Sequence, residues 1–285
     1  MPGLTVTGLT FSSSKVDREY RLALLADVHD RLPPDVLPHV RAFSPSLIAV
    51  NGDLVNNYVC NWLATPKDHL KDFLRGSRDA HYDGHIASSY SGSSVLQACA
   101  SICPTFYSLG NHERYFTSAD AAAVRSAGAV LLENEFLPFD SLCIGAQSSF
   151  ELGQISEERI ADGDLDPILA KRRGCAYTPE AETAWLDEFE RQPGFKVLLC
   201  HHPEYYDKFL RHRDIDLILS GHAHGGQIRL FGRGLYAPDQ GVLPRYTSGV
   251  IDNRMVVSRG LSNQYRFVPR FNNAPELVLI TVKPE

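Results

Sequence analysis

Asp27-Val28-His29, Gly52-Asp53, Gly110-Asn111-His112-Glu113, His201 and Gly221-His222-Ala223-His224 follow one another along the chain, each just after a short apolar run. Carboxylate oxygens, an amide oxygen and imidazole nitrogens are the donors that hold divalent first-row cations. Enough are present for two cations that share one carboxylate. Such a pair, roughly 3.5–4 Å apart, can hold a hydroxide nucleophile and clamp the oxygens of an in-line displacement at phosphorus. The pattern predicts binuclear metal-dependent hydrolysis.

Asp27 and His29, two residues apart at a strand end, can face the same side and offer one oxygen and one nitrogen to a single metal. Gly52 lets the backbone turn sharply and bring the Asp53 carboxylate close to both cations, which makes Asp53 the expected bridge. Asn111 offers a neutral oxygen to the second metal, where another carboxylate would repel an anionic substrate. His201, His222 and His224 complete the set, with two imidazoles for the second metal and one for the first. The His-x-His pair between glycines after an apolar strand is the sharpest local signal. Any one of these residues is equally at home as a capped turn or a core histidine, but five such corners in order are not.

His112, next to Asn111 in a sharp corner, should project beside the metals and suits proton donation to a leaving alkoxide or hydrogen bonding to the phosphoryl group. Arg114 follows directly and is the leading candidate to grip a phosphate oxygen, with a surface ion pair as the alternative. Glu113 either orients its neighbours or caps the next turn, the structural role being preferred. His202 is expected to face away from the metals and contact the groups behind the ligands.

The elements that must position these corners are strands that end in polar turns and lead into helices, a layered α/β pattern. Arg21 to Ala26 and Leu47 to Val50 read as strands with a helix from Pro34 to Phe43 between them, implying a parallel crossover that sets Asp27 and Asp53 side by side. Thr105 to Leu109 is a further strand, Ser118 to Ala127 a helix capped by Ser118, and Ser141 to Ala146 another strand. A helix from Thr178-Pro179 to about Arg191 precedes strands at Lys196 to Cys200 and Asp216 to Leu219, which deliver His201 and His222. β-rich elements close the chain at Gly226 to Phe231, Arg254 to Ser258 and Leu277 to Val282. Two packed sheets with helices outside are expected, in one domain over 1–285. Residues 76–94 read as a loop insertion whose His81 and His85 are solvated, and 162–177 as a second loop near the mouth.

The 285 residues, 44% of them hydrophobic, can bury a sizeable core. A formal charge of −6 excludes a chain that coats nucleic acid, and no stable nucleic-acid partner is expected. No apolar run approaches the roughly 20 residues of a membrane span, and the opening residues lack the pattern of a signal peptide, so the expectation is a cytoplasmic protein without a span. The six cysteines are scattered and none forms a CxxC pair. Cys99, Cys103 and Cys200 read as small core residues in a reduced protein.

These motifs, Asp27-x-His29, Gly52-Asp53, Gly110-Asn111-His112-Glu113, His201 and Gly221-His222-Ala223-His224, resemble the five signatures of the calcineurin-like metallophosphoesterase superfamily, and they span most of the chain. Gly221 to Leu230, Tyr236-Ala237-Pro238, Ser258-Arg259-Gly260-Leu261 and Pro275-Glu276-Leu277 are similar to the YkuE-like branch, which includes hydrolases of UDP-diacylglucosamine. The resemblance implies a four-layer α/β/β/α sandwich of two mixed sheets flanked by helices, and two divalent metal ions such as Mn, Fe or Zn. It implies Asp27, His29, Asp53 and His224 around one metal, Asp53, Asn111, His201 and His222 around the other, and His112 as the catalytic histidine. It implies as substrate a small phosphomonoester, phosphodiester, pyrophosphate or nucleotide-sugar. Tyr115, Phe116, Tyr205 and Tyr206 either line its pocket or belong to the core, the core being preferred. The alternative is a non-catalytic scaffold of the same fold that binds a protein. The intact ligand set argues against it.

Overall fold

The computed structural model describes residues 3–56, 86, 90–113, 116–149, 182–262 and 269–285. The first sheet comprises β1 (Thr5–Ser12), β2 (Tyr20–Leu25), β3 (Leu47–Asn51), β4 (Thr105–Ser108), β5 (Val130–Leu132) and, from the far end of the chain, β16 (Glu276–Lys283). The second comprises β6 (Glu135–Phe139), β7 (Leu142–Gln147), β8 (Phe195–Cys200), β9 (Leu217–Ser220), β14 (Gly249–Ile251) and β15 (Met255–Val257). Strand order is β1-β16-β2-β3-β4-β5 in the first and β14-β15-β9-β8-β7-β6 in the second. In each sheet the strands that lead to the candidate corners run parallel: β2, β3 and β4 in one, β8 and β9 in the other.

Alternation along these strands explains why the sequence reads as unbroken apolar runs. Leu22, Leu24, Leu47 and Ala49 of the first sheet meet Val197, Leu199, Leu217 and Leu219 of the second in one apolar layer between the sheets. Ala23, Leu25, Ile48 and Val50 point the other way, against the helices α1 (Val36–Phe43), α2 (Tyr90–Ala100) and α3 (Ser118–Ser126). On the outer face of the second sheet, Leu198, Cys200 and Ile218 pack on α4 (Leu186–Glu190) and the turn Tyr206–Leu210. Both faces of each central strand are thus buried, as in α/β sandwiches. The architecture is the expected four-layer α/β/β/α sandwich of two mixed sheets. Among the described residues, no helix is long and apolar enough to cross a membrane.

Several boundaries differ from expectation. Thr117, not Ser118, caps α3: its hydroxyl accepts from the Asp120 amide while Asp120 accepts from the Thr117 amide, a reciprocal capping box. The loop expected over 76–94 lies mostly outside the described residues, but its last part is helical. Tyr90–Ala100 forms α2, with Val95, Leu96 and Cys99 in the layer beneath it. The Ser-Gly-Ser-Ser run had masked that helix start, because its apolar face begins only at Val95. His81, His85, residues 162–177 and the start of the Thr178 helix lie outside the described residues, as do Arg114 and Tyr115. Phe116 is fully buried in the helix-side layer, and Tyr205 and Tyr206 are buried against the second sheet.

Candidate metal centre

The corners meet along the facing edges of the two sheets, and buried hydrogen bonds staple those edges together. Asn51, at the end of β3, donates its amide to the Leu219 carbonyl at 2.7 Å and accepts from the Ser108 hydroxyl at 2.8 Å. The amide of His222 donates to both oxygens of Asp27, at 3.0 and 3.2 Å. Glu113, fully buried, accepts from the amides of Gly110 at 2.7 Å, Leu54 at 2.8 Å and Asp53 at 3.0 Å. Its carboxylate therefore orients the two neighbouring corners rather than the turn that follows it.

The backbone at these corners is unusual. Asp27, His29, Asp53, His222 and His224 all take positive φ, between 45° and 62°. Such left-handed conformations cost a non-glycine residue roughly 1–2 kcal/mol each. They recur where a ligand justifies them. Gly52, at φ 72°, leaves no room for a side chain: a Cβ there would stand 2.5 Å from His201 Nδ1. The close approach of the Asp53 corner to His201 requires that glycine.

Asp27, His29, Asp53 and His224 form one group of donor atoms within 4.8 Å of one another, all buried. The Nε2 atoms of His29 and His224 face each other at 3.3 Å. Each has a carboxylate at hand, His29 with Asp53 at 3.7 Å and His224 with Asp27 at 3.5 Å. Asp53, His201 and His222 form a second group that shares Asp53 with the first. His201 Nδ1 donates to the Asn51 carbonyl at 2.9 Å, which leaves Nε2 facing the site. That Nε2 lies 3.2 Å from Asp53 but is not aligned for a hydrogen bond, and it has no partner although it is buried. His222 gives its Nε2 to Asp239 at 3.0 Å, so its Nδ1 is the atom left for the site. Asn111 heads the short turn Asn111–Glu113, and its Oδ1 is likewise buried without a partner. Buried ring nitrogens and carboxylate oxygens crowded this closely, with His201 Nε2 and Asn111 Oδ1 left without a hydrogen-bond partner, are what a cation would satisfy. The donor set fits two divalent metals, with a shared carboxylate between them.

His112 follows Asn111 in that turn. Its backbone amide donates to Asp53 Oδ1 at 2.9 Å, and its Nε2 lies 3.9 Å from Asp53 Oδ2. Its ring meets His29 edge-on at 4.6 Å between centroids. His202 points behind the ligands, as expected. It bonds Glu204 at 2.7 Å through Nδ1 and Ser149 at 2.8 Å through Nε2, and its ring lies 4.1 Å from that of His222.

Burial dominates the charge states. It raises Asp27 to about 6 and Glu113 to about 7, in both cases reinforced by the Asp53 charge. It lowers His29 to about 4 and His112 to about 3, keeping both neutral. Asp53 goes the other way: burial alone would raise it, but His201, His112 and His29 hold it well below the usual carboxylate range. Burial would also lower His201, yet Asp53 and Asp27 raise it to about 10. In the metal-free protein His201 thus holds a proton at neutral pH on the site it must vacate for a metal. Uptake should release that proton, so affinity rises with pH below about 10 and falls further below about 6, where Asp27 is protonated too. Calorimetric titration of the metal-free protein in two buffers of different ionisation enthalpy measures the release. Metal affinity unchanged from about pH 6 to pH 9 would contradict this assignment.

Several residues that shape the site carry no local signal in the sequence. Asn51 fixes the tautomer of His201, and Asp239 engages His222. Arg270, nearly buried, donates to the carbonyls of Gly260, Ser262, Arg259 and His224, and Asn273 donates to the His224 carbonyl at 2.7 Å. Together they hold the His224 turn against the loop at Gly260. Arg114, expected to touch substrate, lies outside the described residues.

The chain is similar to a known family and to several of its members. The calcineurin-like phosphoesterase family matches residues 20–226, from β2 through the His224 turn. YpbG of Bacillus subtilis is 27% identical over 227 residues, 79% of this chain and 69% of that protein. The phosphodiesterase YaeI of Escherichia coli is 28% identical, over 66% of this chain and 62% of its own length. YkuE of Bacillus subtilis, a metallophosphoesterase, is 27% identical over 61% of this chain and 54% of its own. A metallophosphoesterase of Helicobacter pylori matches over 47% of its length, so the chain spans about half of some of these relatives. Among solved structures, a dimetal phosphatase from Danio rerio superimposes with a TM-score of 0.47 at 14% identity, covering 86% of this chain and 88% of that one. The chain belongs to the calcineurin-like phosphoesterase family.

Proposed function

We propose that the chain is a binuclear metal-dependent phosphoesterase acting on a phosphomonoester, a phosphodiester or a pyrophosphate bond. The observation that carries this reading is the buried double cage, two donor groups sharing Asp53 with His201 Nε2 and Asn111 Oδ1 unpartnered. Asp27, His29, Asp53 and His224 would hold one cation, and Asp53, Asn111, His201 and His222 the other. When bound, such cations polarise phosphoryl oxygens and make water a nucleophile at neutral pH. The protein's own groups do the rest. His112, neutral and beside the cage, would donate its ring N–H in a hydrogen bond to the reacting oxygens as negative charge builds on them. Asn51 and Asp239 keep His201 and His222 in the tautomers that leave the right nitrogen free. Glu113 holds the two corners in register by accepting their amides.

Mixed oxygen and nitrogen donors suit manganese as well as iron or zinc. A reducing, cytoplasmic setting fits the free thiols of Cys99, Cys103, Cys143 and Cys200. The test is a panel of phosphomonoesters, phosphodiesters and nucleotide-sugars offered to the Mn-loaded protein. Turnover abolished by a chelator and restored by metal is expected. No turnover on any of them with two ions bound would favour the non-catalytic scaffold instead.

Arg114 is proposed to grip a phosphate oxygen, since it follows directly on the His112 corner and a guanidinium matches such oxygens in a fork. Arg114→Ala should raise KM, or lower kcat/KM, for the best phosphoester with metal content unchanged. Unaltered kinetics would return it to the surface.

A further inference from the structure

A further group of metal-binding side chains stands next to the double cage and shares only His222 with it. His202, Glu204, His222 and Asp239 present donor atoms that all lie within 4.8 Å of one another. The turn after β8 delivers two of them, since His202 follows His201 and Glu204 comes two residues later. Asp239 arrives from a distant part of the chain. After the His224 turn come two short hairpins, β10 (Arg229–Leu230) with β11 (Arg233–Gly234) and β12 (Tyr236–Ala237) with β13 (Gly241–Val242), and Asp239 sits in the turn of the second. His202 and Glu204 are buried, whereas the Asp239 side chain is 45% exposed and leaves a way in from solvent.

The ring of His202 is held in place from two directions. Tyr205 stacks on it at 4.8 Å between centroids, and Ser149 Oγ bonds its Nε2 at 2.8 Å. Nδ1 is thereby turned to the carboxylates, 2.7 Å from Glu204 Oε1 and 3.8 Å from Asp239 Oδ2. A serine hydroxyl can accept from Nε2–H as well as donate to Nε2, and the first arrangement frees the Nδ1 lone pair for a cation. Charge points the same way. Two carboxylates meet here, and among the described residues neither forms an ion pair with a lysine or an arginine, their partners being the two imidazoles. Burial alone would raise Glu204, but its bond to His202 and the nearby His222 hold it below the usual carboxylate range. Its side chain is only 10% exposed, and its Oε2 is buried without a hydrogen-bond partner. An ionised carboxylate so placed carries a desolvation cost that a divalent cation would offset. The bond from His222 Nε2 occupies one lone pair of Asp239 and leaves others for a ligand role.

We infer that His202, Glu204 and Asp239 bind a third divalent cation, beside His222 and apart from the two cations of the proposed cage. One imidazole and two carboxylates neutralise a doubly charged ion, leave coordination positions to water, and suit Mn or Zn. None of the three residues belongs to the double cage, so the two sites can be tested apart. Full-length Asp53→Asn protein, whose cage is expected to be empty, is dialysed against saturating manganese chloride alone, and bound Mn is counted by elemental analysis. One ion per chain is expected there, and none after Glu204→Gln is added, because the amide still accepts from His202 but has lost the charge. In the wild-type background the same substitution should take the count from three to two. Circular dichroism checks that the variants fold, and Asp239→Asn in the Asp53→Asn background, at a half-exposed position, should remove the same ion if Glu204→Gln does not fold. The ion that depends on Glu204 reports this site and the ions that depend on Asp53 report the cage, so either reading can fall alone. Equal Mn content with and without the Glu204 or Asp239 carboxylate would overturn the inference.

Discussion

Asp53→Asn is expected to empty both metal positions and to lower kcat/KM by on the order of 10³-fold or more. Loss of a group behind the ligands already costs 10–100-fold in affinity, and Asp53 belongs to both donor groups. The substitution keeps the shape but removes the charge and puts an amide donor where one oxygen faced a cation. Among the described residues, the neighbouring carboxylates are already engaged: Asp27 accepts the His222 amide and Glu113 the amides of the Asp53 and Gly110 corners. The substitution loses the attraction to His201 but also the repulsion on Asp27 and Glu113, and the amide oxygen can still accept from the His112 backbone, so the metal-free variant should stay folded. Elemental analysis with circular dichroism checks both points. A folded variant that retains two ions at wild-type affinity would remove Asp53 from the bridging role.

The parts of this fold that are legible in the sequence are those in which one local pattern has one cause. Residues Tyr20–Leu25, Leu47–Asn51, Phe195–Cys200 and Leu217–Ser220 are buried on both faces, so each reads as an apolar run that stops where a polar corner begins. The corners are legible for the same reason, since Asp, His and Gly in that order have few other uses. β1 escaped because half its residues face water and its partner, β16, is 271 residues away in sequence at the Thr5↔Glu276 pair. Thr-Val-Thr-Gly alternation alone does not announce an edge strand. Asn51 and Asp239 escaped because what they do depends on contacts 150 and 17 residues away. Asn51 reads as a strand end and Asp239 as a Pro-Asp turn. Thr117 was displaced by Ser118 because both are good caps, and only the reciprocal bond with Asp120 decides between them. Residues that bind by type can be read locally, whereas residues that orient them are defined by the packing of the two sheets.

His112→Ala is expected to lower kcat by about 10²-fold or more while leaving metal content nearly intact, the range that one hydrogen-bond donor to the charge developing on the reacting oxygens supplies. The reasoning rests on which part of His112 holds the site together. Its backbone amide donates to Asp53 at 2.9 Å, and alanine keeps that bond. Its ring contributes an edge contact to His29 and stands 3.9 Å from Asp53 without belonging to either donor group. Truncation therefore removes a ring N–H donor and leaves the cage. The adjacent Asn111→Ala has the opposite signature: it deletes the buried, unpartnered Oδ1 and should weaken the second cation before it affects chemistry at saturating metal. Measuring kcat and metal stoichiometry for both variants over a range of metal concentration separates the two roles. If added metal rescues Asn111→Ala but not His112→Ala, the assignment stands. Equal metal loss in both, or rescue of both, would mean that His112 acts as a ligand or a spacer and that the charge on the reacting oxygens is met from elsewhere.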